Sequence, residues 1–296
     1  MGNLAKIIRA NFLPLAVVIV VAGLAAAFYS RRTLDAIDGL LVLIGATLTH
    51  ASVNTFNNYF DYRSRIDAKT VKTPFSGGVD VLVTGSMKPS HALATALATL
   101  AGAALVGVYF LVRFFQVLFP IVLAGFILIV LYTPVLSRVH GLSEIAAGSG
   151  FGLMGLGTYV TQTGKIEGPG LAVFLPVTIL VGLLLFLNEF PDAEADREAG
   201  RRHLVILLGK KKARWLYIGG LVATYASIVA AVVFSAAPVA ILISLVTVPV
   251  AYKASRITLT SYDKIPKLVP ALGLNVILIL TTISLLAVGF GLGVFI

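Results

Sequence analysis

Long stretches of this chain carry no charge, and nothing else in it narrows the possible folds so far. Residues 12–30, 39–60, 90–112 and 116–136 contain no Asp, Glu, Lys or Arg. Each is close to or above the roughly 20 residues that a helix needs to cross a bilayer, and none alternates as a barrel strand would. The expected fold is therefore all-α: a polytopic membrane protein with a single transmembrane domain over 1–296. Only 12% of residues are charged, against about a quarter in a soluble domain, which excludes an ordinary water-soluble globule. No cysteine is present, so disulfides, thiolate catalysis and Cys-ligated metals are excluded. Lys6 and Arg9 precede an apolar run that is long enough to span and lacks a small-residue cleavage site, so no cleaved leader is expected.

Nine spans are read, at 12–30, 39–60, 90–112, 116–136, 144–163, 170–190, 213–235, 238–256 and 267–296. Charge tests the count. With the N-terminus inside, 19 of the 23 basic residues fall on one side, and only Arg31, Arg32, Arg113 and Lys165 on the other. That asymmetry predicts a cytoplasmic N-terminus, an external C-terminus and residence in the cell membrane. It also accounts for the net charge of +10, which otherwise suggests nucleic acid, as a matter of membrane topology and lipid contact. The loops at 61–89 and 191–212 share the inner face, and with Glu189 at the edge of the second they hold eight of the thirteen acidic residues.

The densest polar stretch is 188–203, with five carboxylates and three arginines after a run of leucines. If the sixth span continues through it, Asn188, Asp192 and Asp196 fall at i, i+4 and i+8 on one face. An oxygen-rich stripe at the water edge suits Mg²⁺, which takes one or two carboxylates and shares its shell with substrate phosphates. Arg197, Arg201 and Arg202 follow, with the charge a phosphate attracts. Pro191 removes one backbone donor and predicts a kink. At the end of the second span, Asn57 and Asp61 repeat the i, i+4 arrangement. Asp67 lies about 240° further round at 100° per residue, so it joins them only if the helix has ended. Residues 73–78 (TPFSGG) read as a turn. Two such stripes closing even-numbered spans suggest an internal duplication.

A single Asn-x-x-x-Asp at a membrane edge has roughly even odds of merely solvating a loop; two on one side, with bases nearby, favour function. Lys210–Lys212 reads as a lipid-facing anchor. Arg9 could reach a diphosphate, although snorkelling is the simpler reading. Arg138 is divided evenly between a phosphate contact and a topology signal. His50, His91, His140 and His203 have no metal-site spacing and read as structural or interfacial. Phe56, Tyr59, Phe60, Phe186 and Phe190 read as packing aromatics, with a carbocation-facing role for any that line a cavity. Gly148, Gly152 and Gly155, and the glycines from Gly289 to Gly293, read as close helix contacts.

These residues resemble the UbiA superfamily of intramembrane prenyltransferases over nearly the whole length. Asn57, Asn58 and Asp61 with Asp67 resemble the family's first aspartate-rich motif, and Asn188, Asp192 and Asp196 its second. The resemblance implies nine helices around a central cavity, with Asn57, Asp61, Asp67, Asn188, Asp192 and Asp196 holding Mg²⁺ on a polyprenyl diphosphate. Tyr132 and Arg138 look like the family's Tyr and basic residue after the fourth helix. The Asp61-to-Asp67 spacing, residues 73–78 and Ala199–His203 resemble the dihydroxynaphthoate branch that leads to menaquinone. Asn58 stands where Asp is usual, Arg65 where Gly is common, and His203 where Thr is. The reaction so implied moves an isoprenoid chain from its diphosphate to an aromatic or lipid acceptor. In it Arg138, Arg201 and Lys69 neutralise the leaving group, and Arg9, Arg63 and Lys72 are further diphosphate contacts. The alternatives are an ether-lipid prenyltransferase acting on geranylgeranylglyceryl phosphate, a prenyl-lipid binding protein without activity, and a transporter with a midplane site.

Overall fold

The computed structural model describes residues 2–66, 70 and 72–296. Among the described residues it is helical throughout, without a strand, as α1 (Asn3–Ile7), α2 (Pro14–Arg31), α3 (Ala36–Arg63), α4 (Pro89–Leu131), α5 (Leu142–Thr163), α6 (Gly168–Glu198), α7 (Leu204–Leu208), α8 (Lys210–Val233), α9 (Val248–Ser261) and α10 (Ile265–Leu292). Helix is the form a spanning segment takes where no water can satisfy the backbone. Local chemistry sets the ends. Pro14 and Pro89 start α2 and α4, where a missing N–H costs nothing, and Asp35 caps α3 by accepting from the Asp38 N–H at 2.9 Å.

Seven helical segments among the described residues are long and apolar enough to cross a membrane, against the nine spans expected. Two features separate the numbers. α4 runs for 43 residues, about twice the length a bilayer requires, and its helix breaks at Phe114 (φ −135°, ψ 40°). A Cβ on Gly107 would lie 3.7 Å from Val122, so the two halves double back on each other and carry the expected spans 90–112 and 116–136. α5 has spanning length, but its glycines, threonines and Gln162 dilute its apolarity, and it packs inside the bundle against α6 and α2. The span expected at 238–256 is built from two helix types, a 3-10 segment at Val239–Thr247 and then α9.

α6 is the pivot of the bundle, packed against α5, α8, α10 and α2. Two apolar clusters meet on it: one around Ile19, Tyr159, Leu180 and Phe290, the other around Leu187, Phe190, Tyr217 and Leu272. The helix stays continuous through Pro191 to Glu198, so the predicted kink does not interrupt the stripe. α4 is the opposite case. Only 6% of its most apolar window is buried, and Val112 and Leu105 stand 82% and 73% exposed, which is a lipid-facing surface.

The basic residues expected at the far end are largely engaged. Arg113 donates to the buried Asp38 carboxylate at 2.6 Å, Arg31 donates to the Gln162 carbonyl and Arg32 to the Val294 carbonyl.

Candidate active site

The C-terminal ends of α3 and α6 arrive at the same end of the bundle and bring the two Asn/Asp stripes to one polar pocket. It has a volume of about 110 Å³ and is lined by Asn57, Asp61, Asn188, Asp192 and Asp196, with Arg9, Tyr132 and Arg201. The helical period that aligns Asn188, Asp192 and Asp196 does hold through the end of α6. Asp67 and Lys69 lie outside the described residues.

Arg201 ties the two stripes together. It donates to the Asp61 carboxylate and, at 3.1 Å, to Asp196 Oδ1, although these acids stand 135 positions apart in the chain. Asp196 also meets His203 Nε2 at 3.2 Å. Asn188 Oδ1 and Asp192 Oδ1 differ: both atoms are buried, and among the described residues neither has a hydrogen-bond partner. An orphaned oxygen has a desolvation penalty of about 1–3 kcal/mol, so two on one helix face are a feature to be explained.

Arg9 sits at a left-handed backbone position (φ 51°, ψ 56°) between α1 and a 3-10 turn, which directs it inward instead of letting it snorkel. Its guanidinium donates to Asn58 Oδ1 at 2.7 Å and to Asn57 Oδ1 at 3.1 Å. Asn58 Nδ2 donates to the Ile7 carbonyl, so this residue anchors the N-terminal segment. Tyr132 lies where the polar pocket meets an apolar cavity. Arg138 and Arg63 line an adjoining cavity of about 290 Å³ on the other side of Asp61 and Arg201. Lys72 is exposed and does not line these cavities.

Residues 73–78 form the expected turn. Thr73 Oγ1 accepts from the Ser76 N–H at 2.9 Å, and Gly77 and Gly78 take positive φ. The turn places Phe75 on the wall of both the polar pocket and the apolar cavity.

Sequence reasoning missed a second polar group. Glu144, Glu189 and His203 are buried, come from three separate elements and bring ligand atoms within 4.8 Å of one another. Glu144 accepts from Ser143 Oγ and the Leu204 N–H, both at 2.7 Å, and His203 caps α7. These contacts fasten the first turn of α5 to the start of α7, just after the turn on which Arg201 sits. No spacing along the chain could have announced them.

The apolar cavity has a volume of about 210 Å³, and Thr49, His50, Asn54, Asn57, Leu128, Phe151 and Leu184 are among its lining residues. Of the structural and interfacial readings, burial favours the structural one for His50, which is 4% exposed and stands edge-on to Phe151, with no partner for Nδ1 among the described residues. Its position was the available signal, since 50, 54 and 57 lie on one face of α3. The aromatics that reach this cavity are Phe12, Phe75, Tyr132 and Phe151, whereas Phe56, Phe186 and Phe190 are buried as packing and Phe60 lines the adjoining cavity.

The donor set fits a hard divalent cation. Carboxylate and amide oxygens converge without thiolates, and two of those oxygens have no partner among the described residues.

Residues 16–277 match the UbiA prenyltransferase family. The chain is 30% identical over 248 residues to the 1,4-dihydroxy-2-naphthoate octaprenyltransferase of Bacillus subtilis, covering 82% of this chain and 76% of that one. Its fold resembles the apo structure of a UbiA homolog from Aeropyrum pernix K1, with a TM-score of 0.73 at 19% identity over 96% of this chain and 97% of that one. It also resembles a UbiA homolog from Archaeoglobus fulgidus solved bound to DMAPP and Mg²⁺, with a TM-score of 0.63 at 14% identity over 97% of this chain and all of the other.

Proposed function

The chain belongs to the UbiA prenyltransferase family, and from that membership we propose that it transfers a polyprenyl chain from its diphosphate to a dihydroxynaphthoate-type aromatic acceptor. Family membership makes it a prenyltransferase and sets the transporter aside. The observation that carries the site assignment is the pair of buried, partnerless oxygens on Asn188 and Asp192, facing Asp61 across a pocket that opens onto an apolar cavity.

Asn188 and Asp192 would hold Mg²⁺, with Asn57, Asp61, Asp67 and Asp196 around it. The ion, when bound, neutralises charge on the departing diphosphate. Arg9 and Arg201 set two fixed positive charges against that same group, where low dielectric strengthens them. Arg138, Arg63, Lys69 and Lys72 are assigned to the approach of the anion and to its release. The allylic C–O bond ionises, a ring carbon of the acceptor attacks, and the ring then loses its proton. Tyr132 donates a hydrogen bond at the junction of the two cavities, and the apolar walls keep water from quenching the cation. His50 is assigned to a polar substituent of the acceptor, because its Nδ1 is buried in the same cavity without a partner. The charge pattern supports a site on the cytoplasmic side of the cell membrane, an external C-terminus, and membrane lipids around the bundle.

The test is turnover of purified protein with Mg²⁺, a series of polyprenyl diphosphates, and dihydroxynaphthoate beside geranylgeranylglyceryl phosphate, with products identified by mass. Prenylated naphthoate is expected. Asp61→Ala and Asp192→Ala should each reduce turnover by roughly a hundredfold or more, the scale of losing a group that stabilises transition-state charge. Native rates in both variants would remove the site assignment, and a prenylated glyceryl phosphate alone would move the acceptor to the lipid class.

A further inference from the structure

The apolar cavity at the site does not end within the bundle. A second chamber of about 210 Å³ lies between α3, both halves of α4 and α5, and Thr49, Gly125, Ile129, Gly150 and Met154 line both spaces. No residue lining the second chamber is charged. Its deeper hydroxyls are spent on their own helix, Thr158 donating to the Met154 carbonyl at 2.8 Å and Thr161 to the Thr158 carbonyl at 2.7 Å, so the surface left is apolar.

The glycines of α5 separate into two faces. A Cβ on Gly148 would stand 2.2 Å from the Thr178 carbonyl oxygen, and one on Gly152 would stand 2.0 Å from Thr178 Oγ1, so these positions are small because α6 packs there. Gly150 and Gly157 face the chamber instead, and a Cβ on either would meet its nearest neighbour only at 3.7 and 3.5 Å. A Cβ on Gly125, at the junction in α4, would meet nothing within 4 Å. Helix packing does not demand a missing side chain at these positions. What it leaves is open space.

Along α5 the first cavity runs from Ala146 to Met154 and the second from Gly150 to Thr161, a combined path of about 22 Å at 1.5 Å per residue. A stretched two-isoprene chain spans roughly 10 Å at about 1.5 Å per carbon–carbon bond, and fits in the first cavity alone. A longer chain anchored by its diphosphate at Asp192 needs further apolar room, and the connected chamber supplies it.

We propose that the distal isoprene units of the donor pass between Gly125 and Gly150 into this second chamber, and that the width of this junction sets the longest chain the protein accepts. The inference rests on the prenyltransferase reading. The experiment compares kcat/KM for dimethylallyl, geranyl, geranylgeranyl and longer diphosphates in the native chain, in Gly125→Leu, which plugs the junction, and in Met154→Ala, which widens it. Thermal unfolding of each variant is measured alongside. Gly125→Leu should lower kcat/KM for the long donors by roughly tenfold or more relative to the two short ones, the discrimination that excluded methylenes produce. Met154→Ala should move the long-to-short ratio the other way. Equal losses at every length would overturn the proposal. So would unchanged turnover of long donors by a folded Gly125→Leu, which would leave the chamber to a lipid acyl chain. If the native chain turns over no donor of any length, the prenyltransferase reading fails first and the chamber's role falls with it.

Discussion

Asn58 and Asn188 are the same amide near the same pocket, yet they do opposite work. Asn58 is fully buried, accepts from Arg9 and donates to the Ile7 carbonyl, so it holds the N-terminal segment onto α3. Asn58→Ala should lower stability by about 1–3 kcal/mol, the cost of leaving buried partners unpaired, while turnover still responds to Mg²⁺. Asn188 Oδ1 satisfies no group among the described residues. Asn188→Ala should therefore unfold at or above the native temperature while losing roughly a hundredfold in turnover, a stability gained where function is lost. Thermal melts read beside rates distinguish the two. The chain itself announced the oxygen stripe, because a 3.6-residue repeat can be read off Asn188, Asp192 and Asp196. It was silent about Arg201 as the clasp between the stripes. That contact depends on how the turn after α6 folds back, and the turn is positioned by its own His203 and by Glu144 from elsewhere in the chain.

Among the elements, α5 shows most clearly how one helix serves packing and cavity at once. Gly148→Ala drives a Cβ into backbone that cannot yield, and should destabilise by about 1–3 kcal/mol. Gly150→Ala, two residues on, meets only ordinary contact with Leu128 and should leave thermal unfolding in detergent at or above the native value. A glycine-rich helix was legible in the sequence, but the division of its faces was not, since spacing alone cannot tell a glycine under a neighbouring helix from one beside a void. The doubling of α4 was legible through Arg113. A charge between two apolar runs has to leave the bilayer interior, and here it pairs with Asp38 at the chain's reversal.

For the molecule as a whole, the distribution of basic residues predicts an orientation that can be measured directly, because the chain contains no cysteine. A single Cys at Lys165, in the turn between α5 and α6, should react with a membrane-impermeant maleimide in intact cells. One at Lys211, at the start of α8, should react only after the membrane is opened. Labelling in the reverse pattern would invert the topology. Composition and charge alone carried the all-helical class and the gathering of the two polar stripes at one end. They could not show that the central space continues past Gly125, because a cavity is defined by side chains that several distant segments do not have.

α4 packs along α3 and α5, yet few of its residues are fully buried. With its outer face uncovered, the hairpin relies there on its own hydrogen bonds and on surrounding hydrocarbon to exclude water from them. Extraction into a short-chain detergent should therefore speed amide hydrogen exchange in α4 well before α6, and return to lipid nanodiscs should slow it again. Since α4 also walls the second chamber, an enzyme assayed in micelles would be measured with its outermost partition loosened.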